Sequence, residues 1–402
     1  MTDQVDSRRS WVVMVAATVT NAIGFGTAYT FSTFFKPMAA EFEAGQGRTA
    51  LVFSITVFLL FGLGVISGPL SDRFGPRRLV IFGAVCVVAG LLATSRVHHL
   101  WLGYLTYGFG VGVGTGSFIT PVIASVGGWF HRRRALAVGI TTTGSGIGTS
   151  VLVPLINRMI QSHGWRTSYV ILAAIAGVTL GLASIFLRRP PIPPPPPARE
   201  RLAAVGSTRP FKVMAITGAL MSLSLFASFT FVVKWATDAG VPSSRAALLM
   251  PIITASSVGG RLVLTALTAR LGPVRMFQAC LAAQPAAYAI WLAAGGNYPL
   301  LVLFAVVLGL SYGGFVALSA EVAAHLFGVV GLGAVLGALY CFSGLGGFIG
   351  PTGAGFVADA TDGRVAPILL TISVVIVATG FSLFIPTERQ VAAAAPEPAA
   401  AG

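Results

Sequence analysis

The chain of 402 residues is 55% hydrophobic and only 9% charged, with a mean hydropathy of +0.84 and a formal net charge of +14. A soluble domain carries charge on about a quarter of its residues, so the composition excludes a water-soluble enzyme or binding module and predicts a polytopic membrane protein. The basic excess does not signal nucleic acid, because it falls in short connectors between apolar runs and not on one amphipathic face.

The N-terminal stretch SRRSWVV resembles a twin-arginine export signal, but the apolar run continues to Phe35 without a small-residue cleavage site and reads as a first membrane span. Runs of about 20 apolar residues, the length that crosses a bilayer, follow one another at 11–35, 49–70, 78–95, 100–125, 135–157 and 166–187. They continue at 211–235, 245–268, 274–294, 298–320, 329–357 and 365–386. The break between the sixth and seventh is RRPPIPPPPPARERLAAVGSTRP, whose proline run predicts a stiff, extended spacer. The expected fold is therefore an all-α polytopic membrane protein of twelve transmembrane helices in two pseudo-symmetric six-helix bundles. Residues 1–188 form the first bundle, 189–210 a cytoplasmic Pro-rich linker, 211–388 the second bundle and 389–402 a disordered tail. Cys86, Cys280 and Cys341 lie singly inside apolar runs and offer no metal-ligand spacing.

Orientation follows from the basic residues. The termini and even-numbered connectors hold 17 of the arginines and lysines, the odd-numbered connectors and their span ends 8, which predicts cytoplasmic termini. Short loops and the absence of a targeting signal point to a bacterial inner membrane. The halves also repeat: LSDRFGPRR (70–78) aligns with LTARLGPVR (267–275), Asp72 over Ala269, and Phe130 meets Phe327 at the same offset. Internal repeats of this kind build alternating-access transporters, whose binding site lies near the midplane between halves. The glycine strings GFGVGVGTG and GSGIG sit inside spans 4 and 5 with no strand before them, so they read as close helix packing and not as nucleotide loops.

GPLSDRFGPRR, Gly68 to Arg78, resembles the signature that the major facilitator superfamily carries between spans 2 and 3, matching in Gly68, Leu70, Asp72, Arg73, Gly75, Arg77 and Arg78. WFHRRRALAVGITTTGSGIG, Trp129 to Gly148, is similar to the fifth-span signature of the monocarboxylate transporter family, and GFGTAYTFSTFFKPMAAEF, Gly24 to Phe42, resembles that family's first span. The first-span opening matches only in Asp6 and Trp11. The family's relatives include oxalate/formate-type anion exchangers. The resemblance implies a secondary transporter of small monocarboxylates such as lactate or pyruvate, by proton-coupled symport or, alternatively, by anion exchange or uniport. A conformational latch is expected at Gly68, Asp72, Arg73, Gly75, Arg77 and the cluster Arg132, Arg133 and Arg134. A drug exporter fits less well, because GSGIGTS in span 5 lacks the proline of that group's motif.

Arg261 stands alone inside the apolar eighth span. A guanidinium there costs roughly 2.5–3.5 kcal/mol on insertion scales, so such residues usually face a wet cavity and serve a function. Its planar fork suits a carboxylate, and it matches the eighth-span arginine that the family uses for the substrate carboxylate. The competing reading is a structural pairing with helix carbonyls or Glu321. Tyr29, Tyr312, Tyr340, Ser343 and Ser117, with Thr120 behind them, are further pocket candidates, since a phenol offers a ring for alkyl carbon and a hydroxyl for oxygen. Lys36, seven residues after Tyr29, matches the family's first-span lysine, which is linked to proton and substrate access.

Two departures from the family pattern bear on coupling. Ser257 occupies the position of the aspartate that proton-coupled members carry one turn before the arginine, leaving Lys36, Glu321 and His325 as substitutes. Ser343 occupies the position of the lysine with which oxalate-type exchangers pair the arginine, and one pocket cation favours one carboxylate. The sequence thus predicts no enzyme activity, no metal and no cofactor, with a proton as the candidate coupling ion. The expected partners are the bilayer and the substrate, with no nucleic acid, for a functional monomer.

Overall fold

The computed structural model describes residues 6–130, 134–191, 198–328 and 332–386. They form sixteen α-helices and one π-helical stretch. The first half contains α1 (Arg8–Tyr29), α2 (Phe31–Glu41), α3 (Gln46–Gly62), α4 (Gly64–Phe74), α5 (Pro76–Thr94), α6 (Leu100–Gly103), the π-helix Tyr104–Val111, α7 (Gly112–Trp129) and α8 (Arg134–Phe186). The short α9 (Ala198–Val205) lies in the linker. The second half contains α10 (Arg209–Asp238), α11 (Ser243–Ala246), α12 (Leu249–Leu271), α13 (Pro273–Ala294), α14 (Tyr298–Phe327), α15 (Leu332–Ala360) and α16 (Val365–Ser382).

Among the described residues, ten helices are long and apolar enough to cross a membrane. One of them, α8, is two crossings joined at Gly164, whose φ of 78° and ψ of 163° interrupt the helix. With α13, which packs between α14 and α16, the bundle has the twelve crossings expected from the sequence. The helices reach well past the apolar runs, and the linker is helical from Ala198 to Val205; its proline run at 192–197 and the tail from 387 onward lie outside the described residues.

The repeat is visible in backbone geometry. Gly75 has φ 82° and ψ 153°, Gly272 φ 83° and ψ 149°; each ends one helix, and a proline opens the next. A side chain is strained at such a φ, so the same turn is built in both halves. Helix contacts repeat too. Gly148 of α8 lies against the Ala22 backbone of α1, and Gly346 of α15 against Ala219 of α10; Gly116 of α7 meets Leu59 of α3, and Gly313 of α14 meets Ser257 of α12. At each of these a Cβ would overlap a backbone oxygen. Lipid supplies no hydrophobic drive between helices, so van der Waals contact of bare backbones does the holding. This is the close packing expected of the glycine strings.

The halves meet along two long seams, α3 with α15 and α8 with α12, and where α2 packs on α10. Along the first, Gly47 touches Gly355, the Thr352 hydroxyl donates to Ser54 at 2.8 Å, and Gly344 abuts Phe58 and Phe61. Along the second, Gly146 packs on Thr254 and Val258. Toward the end of the bundle that carries the chain's N-terminus, Gly139 on α8 and Gly68 on α4 have no neighbouring atom within 4 Å of where a Cβ would be.

Candidate substrate site between the halves

Across the α8–α12 seam, Arg261 donates from Nη1 to the Thr142 carbonyl of the opposite half at 3.1 Å. The neighbouring carbonyl, of Thr141, accepts from Asn21 Nδ2 at 2.9 Å, which ties this turn of α8 to α1. The alternative raised from the sequence, a structural bond to a helix carbonyl, is thus part of the arrangement in this state.

Three of the predicted tyrosines converge here. Tyr29 lies within electrostatic range of Tyr312 and Arg261, and Tyr340 within range of Arg261, Tyr312 and Ser319. The Tyr29 hydroxyl is fully buried and faces Tyr312 without reaching hydrogen-bond geometry. A break in the first crossing positions Tyr29. The helix breaks at Thr30, which turns its hydroxyl onto the Thr27 carbonyl at 2.6 Å, and the Tyr107 hydroxyl takes up the carbonyls of Thr27 and Ala28 at 3.0 and 3.2 Å.

Above the phenols sits an aromatic roof drawn from both halves. Tyr29 is edge-on to Phe229 at 5.2 Å and to Phe25 at 5.6 Å; Phe61 contacts Phe226 at 5.7 Å and Tyr340 at 6.2 Å; Phe229 meets Tyr312 at 5.7 Å. Sequence reasoning missed these phenylalanines, because a Phe lining a site and a Phe facing lipid look alike inside an apolar run.

The serines stand differently. Ser117 donates to the Val113 carbonyl and Ser257 to the Thr254 carbonyl, each on its own helix and each buried. Ser343 places its hydroxyl against Gly218 of α10. Glu321 and His325 lie exposed at the terminal end of α14, one turn apart. Of the predicted latch, Gly75 forms its turn, Arg73 lies over the Phe74 ring at 5.3 Å, and Arg77 is exposed. Gly68, read as a close-approach residue, has no neighbouring atom within 4 Å of where a Cβ would be. Arg132, Arg133 and the side chains of Asp72 and Arg134 lie outside the described residues.

The far end is sealed by charge. Lys36 pairs across the halves with Asp238 at 2.5 Å, and Lys234 holds the other oxygen of Asp238 at 2.6 Å. Asp359 at the end of α15 accepts from the backbone N–H groups of Gln46 and Gly47, at 2.8 and 2.9 Å, and so caps α3 from the opposite half. Trp235 adds a bond to the Gln46 side chain at 3.1 Å, and Ser243 one to Asn157 at 3.2 Å. Asp238 was not foreseen. The signal was in the repeat: FSTFFK (31–36) lies over FTFVVK (229–234), so Lys234 is the counterpart of Lys36 and the acid four residues on faces both.

The Major Facilitator Superfamily profile matches residues 15–293. Rat monocarboxylate transporter 3 is 32% identical over 371 residues, covering 88% of this chain and 75% of the relative. The chain belongs to the monocarboxylate transporter family of this superfamily. Human monocarboxylate transporter 11 is 28% identical over 97% of the chain and 85% of its own length. Among solved structures, a bacterial homologue of the human lysosomal transporter Spinster, in an inward-facing and occupied conformation, superposes with a TM-score of 0.78 at 16% identity, covering 98% of this chain and 100% of that one. The molecule is a multi-pass membrane transporter and not an enzyme.

Proposed function

We propose that the chain carries small monocarboxylates across a cell membrane by alternating access, with Arg261 receiving the carboxylate. The observation that carries this reading is the meeting of one guanidinium with Tyr29, Tyr312 and Tyr340, from both halves. A guanidinium fork matches a carboxylate, and phenols suit a short alkyl tail with oxygen substituents. Membership of the monocarboxylate transporter family supports the substrate class. The distribution of arginines and lysines supports cytoplasmic termini, so the far end faces outward and this state opens inward. A single central cation, with Ser343 set against Gly218, favours monocarboxylates over dicarboxylates.

Proton symport is the coupling we infer. Opening the far end would draw Lys36 away from Asp238, while Lys234, on the same helix, keeps the aspartate paired. Lys36 is the group released. In the inward-closed state the latch residues from Gly68 to Arg77 would close on the terminal end.

The test is uptake of labelled lactate or pyruvate into proteoliposomes, with and without an inward proton gradient. Arg261→Lys keeps the charge but loses the fork, and uptake should fall at least tenfold while the variant stays folded and monodisperse. Unchanged uptake and affinity would remove Arg261 from the site. Uptake that ignores the pH gradient but rises with internal anion would replace symport with exchange.

A further inference from the structure

A second cavity lies on the outside of the first bundle, away from the substrate site. It is a groove of about 640 Å³ between α1 and the second crossing of α8, lined by Trp11, Val15, Ala16, Val19, Leu182 and Ala183 among others, with Arg8 at its mouth. Its floor is small and buried: Ala16 and Ala183 are each 6% exposed. Its walls are large and uncovered, with Val12, Val15, Leu182 and Phe186 between 44% and 58% exposed. From Arg8 to Val19 it runs eleven residues, about 16 Å at the rise of an α-helix. That is roughly half of a 30 Å hydrocarbon core, so the groove spans one leaflet and stops at the midplane.

The mouth is basic. Trp129 ties two chain segments together there, its carbonyl accepting from the Asp6 N–H and its indole N–H donating to the Arg188 carbonyl, each at 3.1 Å. Arg8 and Arg9 leave one side of this junction, Arg188 and Arg189 the other, and all four are exposed. Asp6 is the acidic residue described at this corner.

The geometry points to a binding site for one anionic phospholipid of the leaflet at the terminal end. An acyl chain lies over Ala16 and Ala183 between the walls of α1 and α8, and the phosphodiester meets the guanidiniums of Arg8 and Arg188. Charge complementarity selects the headgroup: a guanidinium fork fits a phosphodiester, whereas the choline of a zwitterionic lipid would add a cation to a surface that already carries four.

The test uses the full chain, purified in detergent and stripped of lipid, with phosphatidylglycerol or phosphatidylcholine of matched acyl chains added back and bound lipid counted by native mass spectrometry. Wild type should retain one phosphatidylglycerol at concentrations where phosphatidylcholine washes off, and the anionic lipid should raise its unfolding temperature. Arg8→Gln with Arg188→Gln should weaken retention at least tenfold. Ala183→Leu, which fills the floor and leaves the rim intact, should weaken it as well. Equal retention of the two lipids, as for annular lipid only, or undiminished retention in the double variant, would overturn the proposal.

Discussion

Asp359→Asn should loosen the far end of the transporter by an amount that can be worked from its contacts. The carboxylate accepts two first-turn N–H groups of α3, at 2.8 and 2.9 Å, from a helix of the other half. Loss of a helix N-cap typically costs about 1 kcal/mol, and a negative charge at a helix N-terminus adds about 0.3–1 kcal/mol at exposed sites. Asparagine keeps one acceptor oxygen and the shape but gives up the charge and the second bond. A net loss of about 1 kcal/mol multiplies the population open at the far end about fivefold. The assay is the distance distribution between spin labels at Gln161→Cys and Ala293→Cys, exposed positions at the far ends of the two halves, in a background lacking Cys86, Cys280 and Cys341. The variant should move population to the longer distance without ligand present. An unchanged distribution would mean that the Asp359 cap does not hold the halves together.

Lys36→Gln should abolish stimulation of uptake by an inward proton gradient while sparing anion exchange, as read in the same proteoliposomes; full retention of the pH response would exclude Lys36 from coupling. Unlabelled lactate should compete for uptake at least tenfold better than oxalate or succinate, and stronger competition by a dicarboxylate would require a second cation to reach Arg261. Gly346→Leu should cost about 1–3 kcal/mol or more through overpacking, seen as a lowered unfolding temperature in detergent, because Gly346 rests on the Ala219 backbone. Gly380→Ala, with no atom within 4 Å of its added Cβ, should be neutral or stabilising.

Much of the architecture was legible because the bilayer leaves few options. Twelve apolar runs, a proline break and the repeated Gly-Pro turn fix the number of crossings and the twofold plan. Arg261 could be found for the same reason: a charge inside hydrocarbon is costly and cannot hide in a composition. What the sequence did not disclose is relational. Phe226 and Phe229 are two of 27 phenylalanines, and only packing distinguishes roof from lipid face. Asp238 and Asp359 read as ordinary span-end charges, because an ion pair between residues 202 positions apart, such as Lys36 and Asp238, leaves no local pattern. Where a serine hydroxyl turns is not legible either: within a helix it readily bonds the preceding turn, as those of Ser117 and Ser257 do.

The bond from Arg261 to the Thr142 carbonyl has a thermodynamic consequence. Its acceptor belongs to the other half, so an anion that takes this Nη1 donor in this state must displace a backbone partner. Net hydrogen bonds are worth about 0.5–1.5 kcal/mol. Affinity in the state with the Thr142 contact should therefore be about two- to tenfold weaker than in a state without it. A carrier built this way lets go of its cargo more readily on the side where the bond forms, and the guanidinium makes the return journey with its charge still solvated by protein.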